Sequence, residues 1–163
     1  MTAKIIRTVL AITFFATLQN FVFGQGQNID IRFLKAKFTD TTSGKDLIAV
    51  FLVSTKDTAS FPPKIMLPPK VTVFENGREK VVLLNEQMLG LTLWGEDIPQ
   101  KGKDVYDLIK DQVDLKSMQT SMIVEYKIKD VNFEFNKMSL TPAFKEKRNP
   151  EIRVEKRCEF VVN

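Results

Sequence analysis

Residues 71–84 read Val71-Thr72-Val73-Phe74-Glu75-Asn76-Gly77-Arg78-Glu79-Lys80-Val81-Val82-Leu83-Leu84, two β-rich runs joined across Asn-Gly. Asn-Gly is the strongest short-range hairpin signal, because a tight two-residue turn needs positive φ at its centre. This stretch predicts an antiparallel hairpin, and the flanking sequence repeats the same two-residue period. Ile29-Asp30-Ile31-Arg32-Phe33 alternates. The phase then slips, so that Leu34, Ala36 and Phe38 alternate with Lys35 and Lys37. A slip of one residue flips every side chain to the other face, so a β-bulge near Phe33 is the way to keep both sets buried.

Further strands follow from the same pattern. Leu47 to Val53 is a continuous apolar run, the signature of a strand covered on both faces. Leu89, Leu91 and Leu93 alternate with Gly90, Thr92 and Trp94. Met122, Val124, Tyr126 and Ile128 alternate with Ile123, Glu125, Lys127 and Lys129, and Val131, Phe133 and Phe135 with Asn132 and Glu134. Over 151–162, Ile152, Val154, Cys158, Phe160 and Val162 share one face, with Lys156 the misfit that marks an edge strand. Helical spacing is confined to 103–113, with Val105, Leu108, Ile109 and Gln112 on one side and Asp104 as N-cap. The fold class is therefore all-β: an antiparallel sandwich of about eight strands, C2-like or immunoglobulin/transthyretin-like, with at most one short helix.

Residues 1–24 read as a secretory signal peptide. Lys4 and Arg7 precede an apolar core, Val9 to Leu18, and Val22-Phe23-Gly24 supplies a cleavage site before Gln25. Residues 25–163 then form one sandwich domain. The leader carries two basic and no acidic residues, so its removal lowers the net charge from +4 to +2. A nucleic-acid partner is not indicated. Export predicts a periplasmic or extracellular location, yet Cys158 has no second cysteine to bond. It reads as a small buried hydrophobe, and stability must come from the apolar core.

The chain contains no histidine and a single cysteine. That excludes a Ser-His-Asp triad, a Cys-His pair, imidazole metal ligands and thiolate zinc sites. Thr39 and Asp46 break the phosphate-loop pattern around Gly44-Lys45. Glu125 and Glu134 fall on outward positions beside lysines, as solvated faces do. The chain reads as non-enzymatic. The enzyme alternative rests on carboxylates alone, Glu96 and Asp97.

Two candidate surfaces remain. Phe61-Pro62-Pro63-Lys64-Ile65-Met66-Leu67-Pro68-Pro69 frames a short apolar segment with two proline pairs. Proline cannot donate to a ladder, so the segment is an edge or a crossing between sheets. Exposed, Lys64, Ile65, Met66 and Leu67 make a docking patch; covered, they make a flap on their own core. The second candidate is a set of loop aspartates, Asp40 and Asp46 around one turn and Asp97 and Asp104 after another. These are the hard oxygen ligands calcium takes, and also ordinary turn formers.

The run Asp40-Thr41-Thr42-Ser43-Gly44-Lys45-Asp46-Leu47-Ile48-Ala49-Val50-Phe51-Leu52 resembles the first calcium loop and following strand of C2-type domains, the calcium- and phospholipid-binding sandwiches. Leu91-Thr92-Leu93-Trp94-Gly95-Glu96-Asp97 with Asp104 resembles that family's later strand and loop, the likeness spanning about residues 29–118. The resemblance implies Ca2+ held by Asp40, Asp46, Asp97 and Asp104, with Lys45, Ile98, Lys101 and Lys103 touching a lipid surface. The sequence thus points to an exported binding module of a bacterial envelope, engaging a protein partner, or Ca2+ and a membrane surface, or both. The alternative is an accessory subunit of a periplasmic or outer-membrane assembly such as a secretion apparatus.

Overall fold

The computed structural model describes residues 28–42, 45–75, 77–82, 88–93, 102–114, 118–131 and 137–161. The strands are β1 (Ile29–Asp40), β2 (Lys45–Thr55), β3 (Lys64–Glu75), β4 (Arg78–Val82), β5 (Met88–Leu93), β6 (Ser121–Val131), β7 (Lys137–Lys145), β8 (Arg153–Glu155) and β9 (Cys158–Val161). One helix, α1 (Lys103–Ile109), and a 3-10 turn at Thr58–Ser60 complete the described elements. Sheet A runs β1-β2-β6-β5, and sheet B runs β4-β3-β7 with β8 and β9 both on the far side of β7. Every pairing is antiparallel.

The Asn-Gly hairpin is β3–β4. Glu75 pairs with Arg78, and Gly77 takes the positive φ, 75°, that the turn requires. The bulge lies where the β1 pattern slips. Phe33 pairs with Phe51, Lys35 with Val50, and Leu34 is the extra residue. Its effect differs from the simple reading in one respect. Ile29, Ile31, Phe33, Ala36 and Phe38 all face sheet B, whereas Leu34 alone turns to the opposite face.

Between the sheets, Leu47, Ala49, Phe51 and Val53 of β2 and Met122, Val124, Tyr126 and Ile128 of β6 meet Val71, Val73, Met138, Leu140, Phe144, Val154 and Phe160. Edge-to-face rings fill the middle: Phe33 lies 5.6 Å from Phe51 and 5.4 Å from Phe160, and Phe51 lies 5.7 Å from Tyr126. The outer face of sheet A is covered as well. Leu34, Val50 and Ile123 pack against Val105 and Ile109 of α1. Gly102, not Asp104, stands at the N-cap, and Asp104 falls in the first turn. Gln112, assigned to the apolar side from its spacing, is exposed, and the helix proper ends at Ile109.

The strand expected over 151–162 is broken into β8 and β9 at Lys156 and Arg157. The register that pairs Ala143 with Glu155 nevertheless continues without a slip to pair Leu140 with Cys158. The interruption faces Pro142 of β7, which has no N–H to donate. Lys156 N–H still donates to the Pro142 carbonyl at 3.2 Å, and its side chain is exposed. On the other side of Pro142, β3 carries its own irregularity between Met66 and Lys70, where Pro68 and Pro69 sit. Prolines on adjacent strands thus share one row, where the β3 ladder is interrupted and the β8–β9 side keeps only the Lys156 N–H bond. Counting β8 and β9 as one interrupted strand, the described residues form an eight-stranded, two-sheet antiparallel sandwich. Phe133 and Phe135 lie outside the described residues, as does Val162.

Leu34→Ala is expected to cost about 2–4 kcal/mol in urea denaturation, because it opens a void between β1, β2 and α1. A loss below about 0.5 kcal/mol would mean that Leu34 does not face the helix.

Candidate functional site

β3 enters sheet B at Lys64, directly after Pro62-Pro63. Its first rungs pair Lys64 with Lys145, Ile65 with Phe144 and Met66 with Ala143. β4 pairs only with Val71 to Glu75. Among the described residues, Lys64, Ile65 and Met66 therefore have no strand on the side away from β7. Of the two sequence readings of this segment, edge and crossing, the edge is the one observed. Ile65 packs against the core, Met66 is half-buried, Lys64 is exposed, and Leu67 is 58% exposed.

The strand period puts Lys64 and Met66 on the outer face of sheet B. Register then sets Lys64, Lys145 and Arg153 side by side on three adjacent strands. Like charges directly opposite one another oppose pairing. Arg153 is bridged to Glu155, whereas neither Lys64 nor Lys145 has an ion-pair partner among the described residues. Farther along the same face the charges are matched. Arg157 donates through both Nη atoms to Glu79, at 3.3 and 2.7 Å, and Lys137 lies 2.6 Å from Glu159. The Phe74 ring lies beneath, 4.8 Å from Lys137 Nζ and 5.9 Å from Arg157 Cζ. The guanidinium hydrogen bonds hold the Glu79 carboxyl below its ordinary range.

The aspartates are distributed differently. Asp40 ends β1 and Asp46 opens β2, on neighbouring rungs, so these two share one end of sheet A. Asp46 Oδ2 lies 3.9 Å from Lys127 Nζ. β5 runs from Met88 beside Ile128 to Leu93 beside Ile123, so the chain leaves it toward the opposite end. Asp97, Ile98 and Lys101 lie outside the described residues, and so does the side chain of Lys45. Asp104 and Lys103 are exposed at the start of α1, with Asp104 close enough to raise the Glu125 pKa. Glu125 pairs with Val50, four residues and about 13 Å along β2 from Asp46. Among the described residues no three acidic, histidine or cysteine groups gather to hold a metal ion.

Several buried polar groups escape a reading by pattern. Glu125, on a position that alternation marks as solvated, is buried on the face of sheet A that α1 covers. Burial pushes its carboxyl up, Lys127 opposes the shift and Asp104 adds to it. Glu146, within the run Lys145-Glu146-Lys147-Arg148-Asn149-Pro150 that by sequence reads as a charged, solvated turn, is buried and accepts hydrogen bonds from Asn28 N and Nδ2 at 3.1 and 3.3 Å. Tyr126 Oη and Ser139 Oγ are buried with no hydrogen-bond partner among the described residues. Cys158 is buried, as its pattern implies, and the apolar surroundings push its thiol up to about 11.

No helix among the described residues is long and apolar enough to cross a membrane. Comparison of the chain with protein-family models, curated proteins and solved structures finds no match.

Glu125→Gln is expected to raise the Tm by about 2–4 °C at pH 8 and to leave it unchanged near pH 4. With a folded pKa above the unfolded one, the native state favours the protonated acid. That advantage is complete below the unfolded pKa and is lost as pH rises through the folded one. Equal Tm differences at both pH values would contradict this. Millimolar calcium, compared with chelator, is expected to move the Tm by less than about 1 °C. Saturating a site a hundredfold above its dissociation constant adds about 2.7 kcal/mol, so a shift of several degrees would reveal a bound calcium ion.

Proposed function

We propose that this protein is an exported, non-enzymatic β-sandwich that acts by binding a protein partner, and that the Lys64–Leu67 edge of sheet B is where the partner docks. The observation that carries the reading is the conjunction at that edge. Backbone rungs of β3 lack a neighbour among the described residues, Ile65 and Met66 are half-buried, and Leu67 stands out beside them. Exposed sheet edges recruit other chains, and an apolar side chain at the rim adds affinity and register. The ring-filled space between the sheets supports a function carried on the surface. A sequence without histidine supports binding over catalysis. The leader over residues 1–24 supports export, and the partner then belongs to the cell envelope.

Leu67→Glu is expected to lower recovery of the partner that co-purifies with the chain from the envelope fraction about tenfold or more. Its Tm should stay within about 2 °C of the parent, as for a surface substitution. Full recovery with Leu67→Glu would place the docking surface elsewhere. A stable equimolar complex in the membrane fraction would identify the chain as an accessory subunit of an envelope assembly.

A further inference from the structure

We infer that the occupant of the Lys64–Met66 edge is an extended acidic segment of the partner, paired as an added strand alongside β3; this rests on the docking reading above. Two independent features of the edge converge on that chemistry. The first is the backbone. Lys64, Ile65 and Met66 are held in extended form by Lys145, Phe144 and Ala143 on one side, while their other side lacks a strand among the described residues. Peptide groups fixed in this way are a template for one more strand.

The second feature is charge. Lys64, Lys145 and Arg153 form a row of three cations across adjacent strands, and only Arg153 has its carboxylate, Glu155. Opposed like charges weaken a sheet, and a fourth strand carrying Asp or Glu in that row would relieve the repulsion. The row thus specifies the sign of the residue opposite Lys64. The next position faces the other way, beside Ile65, which packs on the core, so it takes an apolar side chain. The third falls beside Met66, with Leu67 exposed just past it. The flanking Pro62-Pro63 and Pro68-Pro69 limit the template to these few rungs, so the matching segment is short and alternating, with an acidic residue leading. A second copy of this chain, paired antiparallel over the same three rungs, would set its Met66 opposite Lys64 and bring no carboxylate to the cationic row, so it would leave the repulsion in place.

The test uses the protein as purified from the exporting cell, isotopically labelled, at low and at physiological salt. The probes are a ten-residue peptide of alternating Glu and Val, its Lys and Val counterpart, and the Glu and Val peptide N-methylated at alternate residues. Vesicles of phosphatidylcholine with phosphatidylglycerol are the lipid arm. The expected result is binding of the Glu and Val peptide alone, with slowed amide exchange at Lys64–Met66. Its affinity should weaken about threefold or more in Lys64→Glu and in Lys145→Glu, and further with salt. Equal binding of the Lys and Val peptide would overturn the acidic assignment. Undiminished binding of the N-methylated peptide would overturn strand pairing, since that probe lacks the necessary donors. A dimer in sedimentation that protects the same amides, or vesicle binding with those amides unprotected, would overturn the inference in favour of those occupants. If none of the peptides binds, strand addition fails, while partner recovery with Leu67→Glu decides the docking reading on its own.

Discussion

The double burial of β2 organises the molecule. Leu47 to Val53 is apolar at every position, so neither face of this strand tolerates water. Leu47, Ala49, Phe51 and Val53 are satisfied by sheet B, which leaves Ile48, Val50 and Leu52 in need of a second cover. A seven-residue helix has little stability of its own, and α1 exists because Val105 and Ile109 supply that cover. The β1 bulge serves the same end. By spending one extra residue, it sends Leu34 to the helix side while Phe33 and Ala36 stay with the sandwich core. The architecture of the described residues is accordingly two sheets plus a helical layer on sheet A, with the outer face of sheet B carrying charged side chains around Phe74, Met66 and the exposed Val81 and Val161.

Sheet B solves a different problem. Its inner strand, β7, contains Pro142, and proline in such a position removes a ladder donor. The irregular residues of the neighbours are placed in the same row: Pro68 and Pro69 on β3, and the β8–β9 break beyond. The irregularities are gathered in one place: β3 shifts register against β7 there, whereas β8 and β9 keep a single register and the Lys156 N–H bond to Pro142. The same row separates the face into two parts. On one side Glu79, Arg157, Lys137 and Glu159 are paired over Phe74; on the other Lys64 and Lys145 have no carboxylate partner among the described residues.

Much of this was legible in residue order. Period-two alternation located β1, β5 and β6, the continuous apolar run Leu47 to Val53 located β2, Asn76-Gly77 located the β3–β4 turn, and the phase slip at Phe33 located the bulge. The continuous run in β2 implied a second cover, and the 103–113 spacing offered a helix to provide it. β7 was not legible, because Ser139, Thr141 and Pro142 dilute its inward Met138, Leu140 and Phe144 to a pattern that resembles a loop. With β7 missing, the row of Lys64, Lys145 and Arg153 could not be seen, since it exists only through pairing. The proline-framed edge at Lys64–Leu67 was legible as an edge or crossing, and register alone decides between them. Glu125 and Glu146 escape the sequence for a common reason: a carboxylate on an outward position or in a charged turn looks solvated until a helix or a distant residue such as Asn28 closes over it. For the aspartates, proximity in sequence to turns carries no information on which end of a sheet each turn occupies.

One consequence concerns mechanical load. Asn28 is tied to Glu146 just beyond the last residue of β7, while Val161 pairs with Lys137 at the first. Asn28 and Val161 are therefore separated by the full length of β7, about 26 Å for its rungs. They also leave through strands that lie over one another, as the Phe33–Phe160 contact requires. Tension applied between them acts lengthwise on β1 and β9, so the rungs binding β1 to β2 bear it simultaneously instead of parting one by one. Between Asn28 and Val161 the described strands are thus threaded for shear rather than for peeling.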